Sequence, residues 1–262
     1  MRIVRFSDRK GNVSYGFHEG DKIEIVSGDL LRNLKPAGRK IAVKDVKLLA
    51  PIEPRNLLAI GRNYKAHAEE GGGDLPAAPL LFIKAISSVI GPGAPIVIPA
   101  VASEQVDYEA ELAVVINKTA RNVKEKDALK YVLGYMCAND VSARDCQSTD
   151  GQWARAKSFD TFAPLGPWIE TDLDPSIQPI KCRVNEETLQ NSNTALMIFN
   201  VAFIISYLSA GMTLLPGTVL LTGTPEGCGF ARKPPIWLRP GDTVEVEIGG
   251  IGTLVNPVSS QK

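Results

Sequence analysis

The stretch DYEAELAVVI, residues 107–116, ends in five apolar residues, three of them β-branched, and opens with three carboxylates, Asp107, Glu109 and Glu111, spaced two apart. A short run rich in strand formers reads as a β-strand entering the core. On a strand, residues i, i+2 and i+4 face one side. The three carboxylates are therefore expected on one face, with Tyr108, Ala110 and Leu112 on the other. Like charges this close resist full ionisation when buried alone. Either this strand end is solvated at the surface, or a bound cation balances it. All-oxygen ligands point to a hard ion, Mg²⁺, Mn²⁺ or Ca²⁺.

Working outward, most of the chain has the same texture. LLAIG, LLFIKA, PIVIP, YVLGYMCAND, GPWIE, IKCRVN, TVLLTG and DTVEVEIGGIGTLV all read as strands, with Pro-Gly and Gly-Pro turns between many of them. Helices are few. One is expected at about 125–132 and a short polar one at about 63–70. A third, at about 201–210, has Asn200 as N-cap and Gly211 as its stop. Strands that do not alternate with helices argue against a doubly wound parallel sheet, so the class is α+β, strand-dominated. At the N-terminus RIVRF, VSYGFH and KIEIV form a small β module. The prolines of VKLLAPIEPRN mark a boundary near 48–54, dividing the chain into 1–50 and 51–262.

The chain has 262 residues with 29 basic and 29 acidic side chains, a balance that offers nothing to nucleic acid or an anionic membrane surface. No segment approaches 18 uninterrupted apolar residues. Cys137, Cys146, Cys182 and Cys228 lack paired zinc-type spacing and are expected as reduced thiols, consistent with a cytoplasmic protein.

Chemistry-bearing residues recur beyond the opening stretch. GYMCANDVSARDCQ, 134–147, is an apolar strand ending in Asp140, which could supply a third oxygen ligand. Lys157, in WARAKSFD, is either a solvated surface residue or a holder of an anionic substrate. His67 and Glu70 share a helix face at i, i+3, a spacing that Glu69 does not offer. The GGGD that follows, 71–74, suits a mobile lid or a simple flexible loop.

These segments, IGRNYKAHAEE (60–70), DYEAELAVVI, GYMCANDVSARD, AKSFDTFAPLGPW (156–168), LTGTPEG (221–227) and LRPGDTVEVEIGGIGTLVN (238–256), resemble in order the blocks of the fumarylacetoacetate hydrolase family over roughly 53–257. FARKPPIWLRPGD looks most like the domain-containing protein 2 branch. Bacterial 2-hydroxyhepta-2,4-diene-1,7-dioate isomerase-like members are also similar. The resemblance implies a mixed β-sandwich roll, a homodimer, and Mg²⁺ (or Mn²⁺) held by Glu109, Glu111 and Asp140, with Asp107 outside the ligand set. It implies a catalytic His67–Glu70 pair, Lys157 in catalysis and substrate binding, and further substrate contacts from Arg62, Gln147 and Thr224. The substrate would be a small 2-oxo acid, processed through an enolate that the metal stabilises. The outcome would be oxaloacetate tautomerisation or decarboxylation, or acylpyruvate C–C hydrolysis. Isomerase or decarboxylase chemistry of homoprotocatechuate breakdown is an alternative, and a non-catalytic acid-binding protein is the reading from another class.

Other features have plainer expectations. Trp153, Trp168 and Trp237 suit the core or an interface. Arg62 and Asn63 would orient the lid or cap its helix. Arg144 would pair with Asp140 or Asp145, His18 has no expected chemistry, and ARKPPIW (231–237) would be a loop at the pocket rim or a dimer contact.

Overall fold

The computed structural model describes residues 1–72, 74–102 and 104–261. The strand Ala110–Ile116 is buried along its whole length, as its run of apolar residues requires. It lies inside a twelve-stranded sheet, between Val132–Asn139 and Thr218–Leu221. Beyond Val132–Asn139 the sheet continues through Ala163–Glu170, Arg2–Ser7, Val13–Glu19 and Lys22–Asp29 to an edge strand, Asn33–Ala42. On the other side it runs through Asn56–Gly61 to Leu80–Lys84. Most pairings are antiparallel, but Thr218–Leu221 runs parallel to Asn56–Gly61. The N-terminal strands thus join the main sheet directly, through Arg2 and Ile3 opposite Glu170 and Ile169.

A second, five-stranded sheet contains Glu187–Asn193, Pro179–Val184, Thr243–Ile248, Gly252–Ser260 and Ile96–Ile98. It packs on one face of the large sheet. Leu112, Val114 and Ile116 meet Ile180, Val246 and Leu254 there in one apolar core. Ala113, Val115, Met136 and Ala138 point the other way, into a second core with Leu57, Ala59 and Leu165. Strand alternation puts Glu111 on that second face and Asp140 just past its end, so the acidic residues cap the second core.

The helices depart from expectation at their ends. Val201–Gly211 is α-helical, and the Asn200 side chain accepts the Phe203 N–H as the anticipated N-cap. Gly211, however, is the last helical residue, and the chain turns out at Met212 in an extended conformation. The segment Glu125–Tyr131 is a 3₁₀ helix. The polar helix is Lys65–Glu70, shorter than expected, and its N-cap is Tyr64 without a side-chain cap. Asn63 neither caps nor orients it. That side chain is buried and exchanges hydrogen bonds with Phe199 and Thr222 backbone instead. Of the expected hinge at 71–74, Gly73 lies outside the described residues.

Two strands escape a reading by pattern. Asn33–Ala42 contains Pro36 and Gly38 and is mostly exposed. Glu187–Asn193 is polar. Both are sheet edges, where proline and polar residues are tolerated because one side of the ladder faces solvent. No helix among the described residues is long and apolar enough to cross a membrane.

Candidate active site

The opening stretch does not form one continuous strand. Val106–Asp107 pairs with Ser142–Ala143 in a separate two-residue ribbon, and the main strand begins only at Ala110. The expected shared face of three carboxylates is therefore split. Oxygens of Glu109, Glu111 and Asp140 gather within 4.8 Å of one another, and all three residues are buried. Asp107 turns away, accepting hydrogen bonds from Arg144 Nε at 2.9 Å and from the Gly229 and Phe230 N–H groups. A solvated strand end is excluded by this burial.

The backbone fixes the cluster. The Asp140 N–H donates to the Glu109 carbonyl at 2.9 Å, and the Glu109 N–H donates to the Asn139 side chain at 3.0 Å. Glu111 accepts the Gly223 N–H at 2.7 Å. Gly223 has φ +97°, and a Cβ there would meet the Asn63 side chain at 2.6 Å, so only glycine brings that N–H so close.

Three cations enter the cluster. Lys157 is buried, not solvated, and its Nζ donates to Glu109 at 2.8 Å and to Asp140 at 2.6 Å. Lys84, which sequence reasoning passed over, is also buried and pairs with the other Asp140 oxygen. Arg144 bridges Asp107 and Glu109, the latter at 2.6 Å. The expected pairing of Arg144 with Asp140 or Asp145 does not form, because the Asp145 side chain accepts the Cys146 N–H and the two lysines occupy Asp140.

Charge balance within the cluster is uneven. Burial alone would raise the Glu109 carboxyl, but Lys157 and Arg144 outweigh it and hold that carboxyl well below the usual carboxylate range. Glu111 makes no ion pair among the described residues. Burial, then Asp140 and Glu109, push its carboxyl well above the usual range. Burial would lower the Lys157 ammonium, yet Asp140 and Glu109 raise it. The Lys84 ammonium is lowered, by burial first and then by Lys157. A buried carboxylate without a counter-cation, facing two more carboxylates, is what a hard divalent ion would neutralise. The oxygen-only trio fits Mg²⁺ or Mn²⁺.

The trio opens into a cavity of about 510 Å³ lined also by Arg62, His67, Arg144, Gln147, Lys157 and Thr224. Every residue anticipated for the site except Glu70 lines it. Glu70 stands directly behind His67, with Oε1 2.8 Å from His67 Nδ1 and Oε2 accepting the Gly227 N–H at 2.9 Å. Glu69 faces the surface toward Lys65, so Glu70 is the glutamate that meets His67. Arg62 holds a left-handed backbone, φ 55°, at the rim. Gln147 accepts from Arg144 at 2.8 Å. Thr224 Oγ1 accepts from Gln190 Nε2, which leaves its own hydrogen free to donate.

Aromatic walls complete the cavity. Trp153 and Trp237 line it and so are not core residues, whereas Trp168 stacks on His18. Phe82 meets Trp153 edge to face and lies 5.3 Å beneath the Lys157 ammonium, and Arg144 lies over Phe230. The segment at 231–237 reaches the cavity through Trp237, while Arg232 in it donates to the Leu189 carbonyl.

A strand-built sandwich whose buried carboxylate trio, lysines and His–Glu pair share one cavity defines a small-molecule enzyme. The chain belongs to the fumarylacetoacetate hydrolase family: the model of the fumarylacetoacetate (FAA) hydrolase C-terminal domain matches residues 56–259, and an Rv2993c-like N-terminal model matches 1–51. Members of this family are metal-dependent hydrolases, isomerases and tautomerases. The chain is 48% identical over 220 residues to a Xenopus laevis protein named as a mitochondrial oxaloacetate tautomerase, covering 82% of this chain and 69% of that one. A Mycobacterium marinum structure described as 2-hydroxyhepta-2,4-diene-1,7-dioate isomerase superposes with a TM-score of 0.89 at 41% identity, over 100% and 99% of the two chains. Maleylpyruvate hydrolase from Sphingobium sp. SYK-6, in complex with manganese(II) and pyruvate, superposes with a TM-score of 0.81 at 30% identity, over the full length of both.

Proposed function

We propose that this enzyme interconverts the keto and enol forms of oxaloacetate, using Mg²⁺ or Mn²⁺ held by Glu109, Glu111 and Asp140. The observation that carries this reading is Glu111, a buried carboxylate that makes no ion pair among the described residues and lines a cavity beside two other carboxylates. The similarity to the Xenopus tautomerase supports the choice of substrate. When bound, the metal supplies Lewis-acid polarisation of the 2-oxo group.

The protein's own groups would handle charge and protons. The Lys157 ammonium donates to the oxygen on which negative charge develops, in a cavity walled in part by Phe82, Trp153 and Trp237. Arg62 and Gln147, at the rim, bind the distal carboxylate, and the Thr224 hydroxyl donates to the proximal one. Glu70 accepts the His67 Nδ1–H, which fixes the neutral tautomer and leaves Nε2 as the proton acceptor. His67 Nε2 takes the proton from C3 of the keto form and returns it to the 2-oxo oxygen, which gives the enol. The reverse transfers restore the ketone.

C–C hydrolysis is the second reading, favoured by the same His67–Glu70 pair, which could activate water, and by the likeness to maleylpyruvate hydrolase. Incubation of the purified enzyme with acetylpyruvate and fumarylpyruvate, and with oxaloacetate, separates the two. Tautomerisation predicts rapid loss of enol absorbance with oxaloacetate and no cleavage products from the acylpyruvates. Cleavage of an acylpyruvate with no effect on the oxaloacetate enol would overturn the first reading.

A further inference from the structure

Beside the carboxylate trio lies a second group of possible ligands with different chemistry. Cys228 is fully buried, with its Sγ 3.8 Å from His67 Nδ1, and His67 Nδ1 lies 2.8 Å from Glu70 Oε1. One ligand atom from each of the three lies within 4.8 Å of the others. Tetrahedral zinc, with bonds of about 2.0–2.1 Å to nitrogen and oxygen and about 2.3 Å to sulfur, separates its ligand atoms by roughly 3.4–3.6 Å. The observed separations bracket that spacing.

The surroundings also suit such an ion. Glu70 Oε2 is held by the Gly227 N–H, so Oε1 is oriented without help from the histidine. Gln190 Nε2 lies 3.7 Å from Cys228 Sγ and can donate to a thiolate there. Three protein ligands leave a fourth position, and His67 lines the active-site cavity from which it would be filled. The mixed N, O and S set differs in kind from the all-oxygen trio. Sulfur selects zinc, cobalt or cadmium over Mg²⁺, which prefers oxygen.

We infer that His67, Glu70 and Cys228 form a separate site for a thiophilic divalent ion such as Zn²⁺, whose occupancy shuts the enzyme off. Binding breaks the His67–Glu70 hydrogen bond, places Nδ1, Oε1 and Sγ on the ion, moves the Nδ1 proton to Nε2, and releases the Cys228 thiol proton to solvent. The His67 ring is then no longer free to move a substrate proton. The inhibition rests on the reading of His67 and Glu70 as the proton-moving pair; the binding does not.

Cobalt reports the sulfur directly. The full-length protein in saturating Mg²⁺, so that the carboxylate trio is filled, is titrated with Co²⁺. The site predicts a thiolate-to-cobalt charge-transfer band that saturates at one equivalent, is displaced by Zn²⁺, is absent in Cys228→Ser and persists in Cys146→Ser. Zinc X-ray absorption, which needs no variant, predicts a single sulfur neighbour at about 2.3 Å. In parallel, one equivalent of Zn²⁺ should lower oxaloacetate turnover more than about tenfold, with that sensitivity weakened more than about tenfold in Cys228→Ser. No charge-transfer band, or a band that survives Cys228→Ser, would overturn the site. Zinc bound through Cys228 with undiminished turnover would overturn the shut-off.

Discussion

Glu111 is the residue on which the proposed chemistry turns. Its carboxyl is raised by burial, by Asp140 and by Glu109, so in the metal-free protein it holds its proton to higher pH than a free carboxyl does. Its folded pKa lies above the unfolded value. Its contribution to stability is thus fully present below the unfolded pKa and is lost as pH rises through the folded one. A divalent ion reverses this, because it needs the carboxylate. The rise in melting temperature on adding Mn²⁺ should therefore grow with pH, and calorimetry in buffers of different ionisation enthalpy should show proton release of up to about one per ion. A metal effect on melting that is flat with pH would contradict the assignment. Glu111→Gln should lower Mn²⁺ affinity by more than the roughly 10–100-fold that loss of an outer partner costs, measured by the same titration. Lys84 makes a different prediction. Replacing it with Met leaves Asp140 one cation short, at a cost of about 3–5 kcal/mol in metal-free urea unfolding, part of which Mn²⁺ should restore. Unchanged stability in that variant would argue that Lys157 alone satisfies Asp140. The carboxylates and Lys157 were legible because they stand in recognisable motifs. Lys84 was not, since a lone charge in LLFIKA looks the same in sequence whether it is solvated or buried against a carboxylate 56 positions away. Cys228 and Gln190 carry no local signal either; only the folded chain brings Cys228 to His67 and Gln190 to Cys228.

Among the elements, the helix Val201–Gly211 and its cap were readable from local chemistry. The Asn200 side chain accepts the Phe203 N–H at 2.8 Å, so Asn200→Ala should cost about 1 kcal/mol in urea unfolding; no change would mean the end is satisfied otherwise. The buried strands were equally plain, because apolar, β-branched runs have few other uses. What failed were edges and breaks. Asn33–Ala42 and Glu187–Asn193 lack the apolar alternation of a half-buried strand. The interruption at Tyr108–Glu109 is invisible in a stretch whose composition is continuous. That break matters most, since it sends Asp107 to Arg144 and the Gly229 N–H while Glu109 turns to the cluster. A Cβ at Gly229 would collide with the Ile236 carbonyl and come within 2.7 Å of Asp107, so Gly229→Ala should weaken the Asp107–Arg144 anchor and with it activity.

At the level of the whole molecule, the two cores flank the strands that carry the site. The large sheet is packed on both faces, and the acidic cluster sits at the end of one of them, tied by Asn63 to the segment that starts the long helix. Phe199, just before that helix, stacks on Phe203, which stacks on Tyr207, and exposed Leu196 and Met212 flank this stripe. We propose that this stripe contributes to a homodimer. Sedimentation should give twice the 28.2 kDa chain mass, and Tyr207→Glu should shift it toward the monomer; a monomeric wild type would contradict this. The central claim, a metal-dependent acid–base site for a small 2-oxo acid, is tested most directly by one assay: the decay of oxaloacetate enol absorbance in Mg²⁺, with pyruvate followed in parallel and Glu109→Ala as control. A metal-dependent tautomerase gives rapid metal-dependent decay without pyruvate, abolished in Glu109→Ala. Decay no faster than in that variant, or unaffected by removal of the metal, would contradict it.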